Sequence, residues 1–141
     1  MEKIKVLIPT DFTVQAEYAY VLVNNLSKKS PMEIHFLHVM NFPDTVTIDL
    51  NGTVSTCGEI DKTYVESQVE IAKRKLNQLR ASYGEDKFVH LKLGKTNQTI
   101  IDFAESNQFD LIAMGTKGAW GLKEKISGSE TQFVVRKSNV P

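Results

Sequence analysis

Hydrophobic and polar positions along the chain change period repeatedly, and each change marks an element. Ile4 to Ile8 is a short β-favouring run closed by Pro9, the pattern of a strand buried on both faces. From Val14 to Leu26, the residues Ala16, Ala19, Tyr20, Val23 and Leu26 recur at three- and four-residue steps and define one face of a helix. Ser27 to Pro31 breaks that helix. Glu33 to Val39 then reads as a second strand, with Ile34, Phe36 and Leu37 available for a core.

Met40 to Ile60 sustains neither period and holds Pro43, Gly52 and Gly58 among Thr, Asp and Asn, so it reads as a long, mobile excursion without structure of its own. Loops of that length in compact domains commonly serve as lids or partner surfaces. Asp61 to Tyr83 is the longest helical stretch. Its apolar stripe is Tyr64, Val65, Val69, Ala72, Leu76 and Leu79, with Gly84 in the expected terminating position. Lys87 to Leu93 alternates as an outer strand does, and Thr96 opens a helix carrying Ile100, Ile101, Phe103 and Ala104. Phe109 to Met114 is the last buried strand, and a final helix is expected from about Ser129 to Lys137.

Regular alternation of strands and helices calls for parallel strands joined by crossovers, with helices on both faces. The fold class is α/β: an open, doubly wound parallel sheet. No repeat, low-complexity tract or second hydrophobic nucleus interrupts the chain, so residues 1–141 read as a single domain. A chain of 141 residues with 41% hydrophobic content suits one core of that kind.

Charge narrows the partners. Seventeen Lys and Arg balance seventeen Asp and Glu, so no net field draws the protein toward nucleic acid or an anionic membrane, and any anion site must be local. The basic residues Lys73, Arg74, Lys75 and Arg80 read as the solvated face of their helix. The apolar runs are too short to span a bilayer, and MEKIKVLIPTDF does not have the makings of a signal peptide, so a cytoplasmic location is expected. The single cysteine, Cys57, excludes an internal disulfide and reads as a reduced surface thiol.

In an open doubly wound sheet, ligands sit beyond the carboxyl ends of the strands, where the order of connection reverses. Two loops suit that place. The first is Ile8-Pro9-Thr10-Asp11-Phe12-Thr13, where Asp11 can accept hydrogen bonds from a sugar or a purine amine; taken alone, Asp11 or Thr13 could equally be a helix cap. The second runs from Gly115 through Lys117, Gly118 and Trp120 to Gly128-Ser129-Glu130-Thr131. Its glycines would let backbone amides approach phosphate, and the following helix start would add unpaired N–H groups with partial positive charge.

Gly115, two residues, Gly118, nine residues, Gly128 and then Ser129 reproduces in spacing the nucleotide-binding signature of the universal stress protein family. IPTDFT after the first strand, HVM after the second and DLIAMGTKG at the fourth also resemble that family, so the likeness covers nearly the whole chain. The resemblance implies a Rossmann-like fold of the adenine nucleotide α-hydrolase type. It implies that Asp11 and Val39 meet adenine and ribose, with Pro9 and Thr10 lining that pocket and Met114 bordering it. Gly115, Gly118, Gly128, Ser129, Glu130 and Thr131 would hold ribose and phosphates.

The ligand so implied is ATP, alone or with Mg2+ or Mn2+, and the partner a second copy of the chain or a tandem domain. Members of the family continue past a Val-Pro pair into a fifth strand, so the last strand is expected to be missing or truncated after Asn139-Val140-Pro141.

His35, His38 and His90 are the remaining candidates for chemistry. Read as alternating on one strand face, the first two could join His90 as metal ligands, although a strand histidine is ordinarily a satisfied polar group and no metal site is assigned. Trp120 reads as an anchor of its loop. Phosphoryl transfer requires in-line geometry, a held metal and a group that orients the nucleophile, and no GxxxxGK[ST] motif is present. The leading expectation is therefore an ATP-binding stress-response regulator with no catalytic residue assigned. A slow ATPase or phosphotransferase, and a dimerisation module without nucleotide, stand as alternatives.

Overall fold

The structure, a computed structural model, describes residues 2–43, 45–57, 61–115 and 124–141, with the backbone alone for 124–130. The elements are β1 (Ile4–Pro9), α1 (Val14–Ser27), β2 (Met32–Met40), β3 (Val46–Ile48), β4 (Val54–Thr56), α2 (Lys62–Tyr83), β5 (Phe88–Leu93), α3 (Thr96–Ser106), β6 (Leu111–Ile112) and α4 (Glu124–Lys137).

Four strands form one parallel sheet in the order β5-β2-β1-β6. The chain steps outward from β1 to β2 to β5 and then returns to the other side of β1. Connection therefore reverses between β1 and β6, which makes that junction the switch point. The central run Val6-Leu7-Ile8 is completely buried because both of its faces are covered. On one face Val6, Ile8, Ile34 and Phe36 pack with Ala19, Tyr20 and Val23 of α1 and Leu76 of α2. On the other, Leu7 and Leu37 pack with Ile100, Ile101 and Ala104 of α3 and Val134 of α4. Helices thus lie on both faces, as the alternation requires.

Three expectations are corrected. The stretch from Met40 to Ile60 is not structureless: β3 and β4 pair antiparallel, with Val46 opposite Thr56 and Ile48 opposite Val54. Val46 and Val54 bury themselves against Val65 and Val69 of α2, so the hairpin is docked by apolar contact. Asp49 holds the turn by accepting from Asn51 and Thr53 N–H groups at 2.9 and 2.8 Å, and Gly52 takes a φ of 84° that few other residues tolerate. The strand at Phe109 to Met114 is ladder-bonded only at Leu111–Ile112. Asp110 and Ala113 still donate to Lys5 and Leu7 carbonyls of β1 at 2.8 and 2.9 Å on either side. Finally, α4 begins at Glu124 rather than near Ser129, because Glu124, Lys125 and Ile126 continue the helix upstream of Gly128.

Smaller departures concern Leu26 and Tyr64, which were assigned to buried stripes and are exposed. The outer edge of β6 meets the chain's own tail: the Ile112 N–H donates to the Pro141 carbonyl at 2.8 Å, and Val140, like Ile112 and Met114, packs against the core around Leu7 and Leu37. Among the described residues no helix is long and apolar enough to cross a membrane.

Candidate functional site

The turn after β1 is built from side chains that satisfy its own backbone. Asp11 Oδ1 accepts from the Thr13 N–H at 3.1 Å and also from the Thr13 hydroxyl, while Thr10 Oγ1 accepts from the Phe12 N–H at 3.0 Å. Thr13 stands at the N-cap of α1 without a side-chain capping bond, so the acid organises the turn and does not cap the helix in the usual way. Both bonds to Asp11 use the same oxygen. Among the described residues Oδ2 is uncommitted, and Asp11 is exposed.

Thr10 is buried and tied to β2 through its N–H, which donates to the Leu37 carbonyl at 2.8 Å. Its own carbonyl accepts from His38 Nδ1 at 2.8 Å. Only a protonated ring nitrogen can donate to a carbonyl, so His38 carries its proton on Nδ1. Burial pushes the His38 pKa below its ordinary value, partly opposed by this hydrogen bond, so the ring is neutral at neutral pH. The ring of His38 lies 4.6 Å from that of Phe12, which is held at a φ of 64°. A bulky residue with that conformation is a strained one, retained by the contacts on either side of it.

Above the carboxyl ends of β1 and β2, next to the switch point, these groups enclose a cavity of about 160 Å³. It is lined by Pro9, Thr10, Asp11, Val39, Met114, Gly115 and Thr131, seven of the eleven residues expected from the sequence. Gly118 lies outside the described residues. Gly128, Ser129 and Glu130 fall within α4, where only the backbone is described. The two ends of the glycine segment meet at the cavity, where the Thr131 hydroxyl donates to the Gly115 carbonyl at 2.6 Å. Gly115 itself is required by space: a Cβ there would lie 2.9 Å from Gln15 Cβ and 3.1 Å from Gln15 backbone atoms.

Sequence reasoning missed Gln15, Ala16, His38, Thr96 and Ile100, which also line the cavity. Thr96 could have been found, since the turn after β5 also ends at the carboxyl edge of the sheet. Gln15, Ala16 and Ile100 carried no signal beyond helix periodicity. His38 was considered only as a metal ligand together with His35 and His90. His35 and His38 are three residues apart, so β2 turns them to opposite faces: His35 meets His90 and Phe109, while His38 meets Thr10 and Phe12.

A parallel sheet wound in both directions, with a cavity over its carboxyl edge at the reversal, defines a Rossmann-like α/β protein. Within that class the chain belongs to the universal stress protein family, whose model matches residues 4–141. It is 30% identical over 148 residues to universal stress protein MJ0577 of Methanocaldococcus jannaschii, covering 97% of this chain and 91% of that one. The solved structure of hypothetical protein MJ0577 superposes with a TM-score of 0.73 at 28% identity over 97% of this chain and 91% of that one. The fold is shared as well with the Archaeoglobus fulgidus universal stress protein solved in complex with dAMP, with a TM-score of 0.58 at 16% identity over 100% of this chain and 96% of that one.

Proposed function

We propose that this protein binds an adenine nucleotide, ATP in particular, and acts as a stress-response regulator through the occupancy of that site. The observation that carries the reading is the Asp11 carboxylate. One oxygen is spent on shaping the turn, and the other is left at the switch-point cavity where a ribose hydroxyl or purine amine can donate to it. Val39, Ile100 and Met114 supply apolar surface for a base, and Thr96 and Thr131 supply hydroxyls. A cavity of about 160 Å³ holds only part of a nucleotide. The spacing of the glycine signature assigns the phosphates to Gly118, Gly128 and Ser129; since α4 starts at Glu124, Gly128 and Ser129 lie past the first four unpaired N–H groups of the helix, and their part of the assignment rests on the resemblance and not on a helix N-terminus.

Among the described residues Asp11 is the one carboxylate lining the cavity, and His38 is engaged with Thr10, which favours binding and release over phosphoryl transfer. Protein carboxylates for Mg2+ or Mn2+ would have to be supplemented by the phosphates of the nucleotide itself. A cytoplasmic location and pairing with a second copy or a tandem domain complete the proposal. Titration calorimetry with ATP, ADP and AMP tests it: saturable binding to the purified protein that disappears on blocking the cavity is expected, and heat of dilution alone would overturn it.

A further inference from the structure

A second cavity, of about 380 Å³, lies on the other side of the β1 turn, between α1 and α2. Thr10, Thr13 and Ala16 line both cavities, so the same short segment forms a partition between them. The floor of the second cavity is aromatic. Tyr20 and Tyr83 stack with ring centroids 3.9 Å apart and planes 20° from parallel, and Phe36 lies 5.6 Å from Tyr20 and 5.8 Å from Tyr83. Phe12 forms part of the wall. A flat ring placed on this floor would extend an existing stack, in an arrangement that aromatic groups favour over contact with aliphatic surface.

The charges on the rim are arranged asymmetrically. Glu17 accepts a hydrogen bond from the Tyr83 hydroxyl at 3.2 Å through one oxygen and keeps its negative charge, so an anion is disfavoured at that end of the cleft. Burial and the neighbouring Glu17 push the Tyr83 pKa up to about 12, which keeps the hydroxyl protonated and donating. Lys75 is different. Its Nζ lies 5.4 Å from the centroid of the Phe12 ring, and it forms no ion pair among the described residues. Lys75 is the one cation among the described residues that line this cleft, and a cation next to an aromatic floor can receive the carboxylate of a planar aromatic ligand.

We propose that the cleft floored by Tyr20, Phe36 and Tyr83 is a second small-molecule site, which takes a planar aromatic carboxylate with its ring on Tyr83 and its carboxylate on Lys75. This assignment is independent of whether the first cavity holds nucleotide.

The test uses 1-naphthoate as the charged probe and 1-naphthamide as its uncharged counterpart, each titrated into the full chain and followed by amide chemical shifts. Saturable shifts at Phe12, Ala16, Tyr20, Leu79 and Tyr83 are expected. Lys75→Gln should weaken naphthoate roughly three- to five-fold, the size of a partly exposed ion pair, and leave naphthamide unchanged. Lys75 is exposed, so the spectrum of the free variant should match the parent away from Phe12 and the neighbours of position 75 and establish that the fold is kept. Absence of saturation, shifts confined to Val39 and Met114, or equal weakening of both probes would each overturn the proposal.

Discussion

His35 and His90 share a hydrogen bond across β2 and β5, with Nδ1 of the first 2.8 Å from Nε2 of the second. His35 Nε2 also lies 2.8 Å from the Glu33 carboxylate, so His35 donates from Nε2 and accepts at Nδ1 from the His90 Nε2–H. The pair is packed against Phe88, Phe103 and Phe109, and Lys5 and Lys92 lie over the rings of Phe109 and Phe103. Adding a proton at Nδ1 of His35 puts two N–H groups against each other unless His90 changes its tautomer. The cluster is therefore built for neutral imidazoles.

That arrangement sets a pH dependence. Burial and the adjacent His35 lower the His90 pKa to about 4, burial also lowers that of His35, and the bond to His35 lowers that of Glu33. Below pH about 6.5 the unfolded chain takes up protons on these histidines while the folded chain does not. Stability is thus complete above about pH 6.5 and falls as the pH drops toward 4, by on the order of 2 kcal/mol once solvent screening is allowed for. Urea unfolding at a series of pH values should show this slope, and His90→Phe should flatten it. An unchanged slope in that variant would place the titration elsewhere.

Replacing Asp11 by Asn separates shape from charge. Asn Oδ1 can still accept from the Thr13 N–H and hydroxyl, so the turn and the melting temperature should be nearly unchanged. An amide in place of the free oxygen loses the acceptor assigned to ribose or purine, and ATP affinity should fall by about ten-fold or more, the effect of losing one charge-assisted hydrogen bond of roughly 1.5–3 kcal/mol. Equal affinity in calorimetry would remove Asp11 from the site.

Gly115→Ala tests the packing of the turn against α1. The added methyl meets Gln15 Cβ at 2.9 Å and its backbone at 3.1 Å, so the neighbouring backbone must shift. Overpacking of this kind costs about 1–3 kcal/mol, which thermal unfolding would register as a lowered midpoint. Because Gln15 and Gly115 both line the first cavity, nucleotide affinity should fall as well.

His38→Phe keeps a ring beside Phe12 and deletes the donor to the Thr10 carbonyl. Leaving that carbonyl unpaired costs about 1–3 kcal/mol. The loss should appear in chemical unfolding, and hydrogen exchange should accelerate at Thr10 and Phe12, whose N–H groups hold the same turn. Histidine variants elsewhere, such as His90→Phe, should leave exchange at those two amides unaltered.

Much of this was legible in the residues. Val6 to Ile8, the stripe Val65, Val69, Ala72 and Leu76, and the pair Ile100 and Ile101 are all buried where their period places them, because burial on a helix face or strand imposes its own repeat. The hairpin of β3 and β4 was missed although Asn51-Gly52 is a turn signal, since strands of three residues are too short to display a period.

The sequence by itself determined the order of the four sheet strands and the four helices, the glycine signature and the turn at Pro9-Thr10-Asp11, because each depends on residues close together in the chain. Tertiary structure alone decided which side of β1 received β6, and so where the winding reverses. It alone brought Thr96 to the cavity of Val39 and Thr131, joined His35 to His90 across two strands, and set Tyr83 of α2 on Tyr20 of α1. These relationships join residues tens of positions apart. They arise from covering both faces of the sheet at once, a requirement of the whole core that no local pattern encodes.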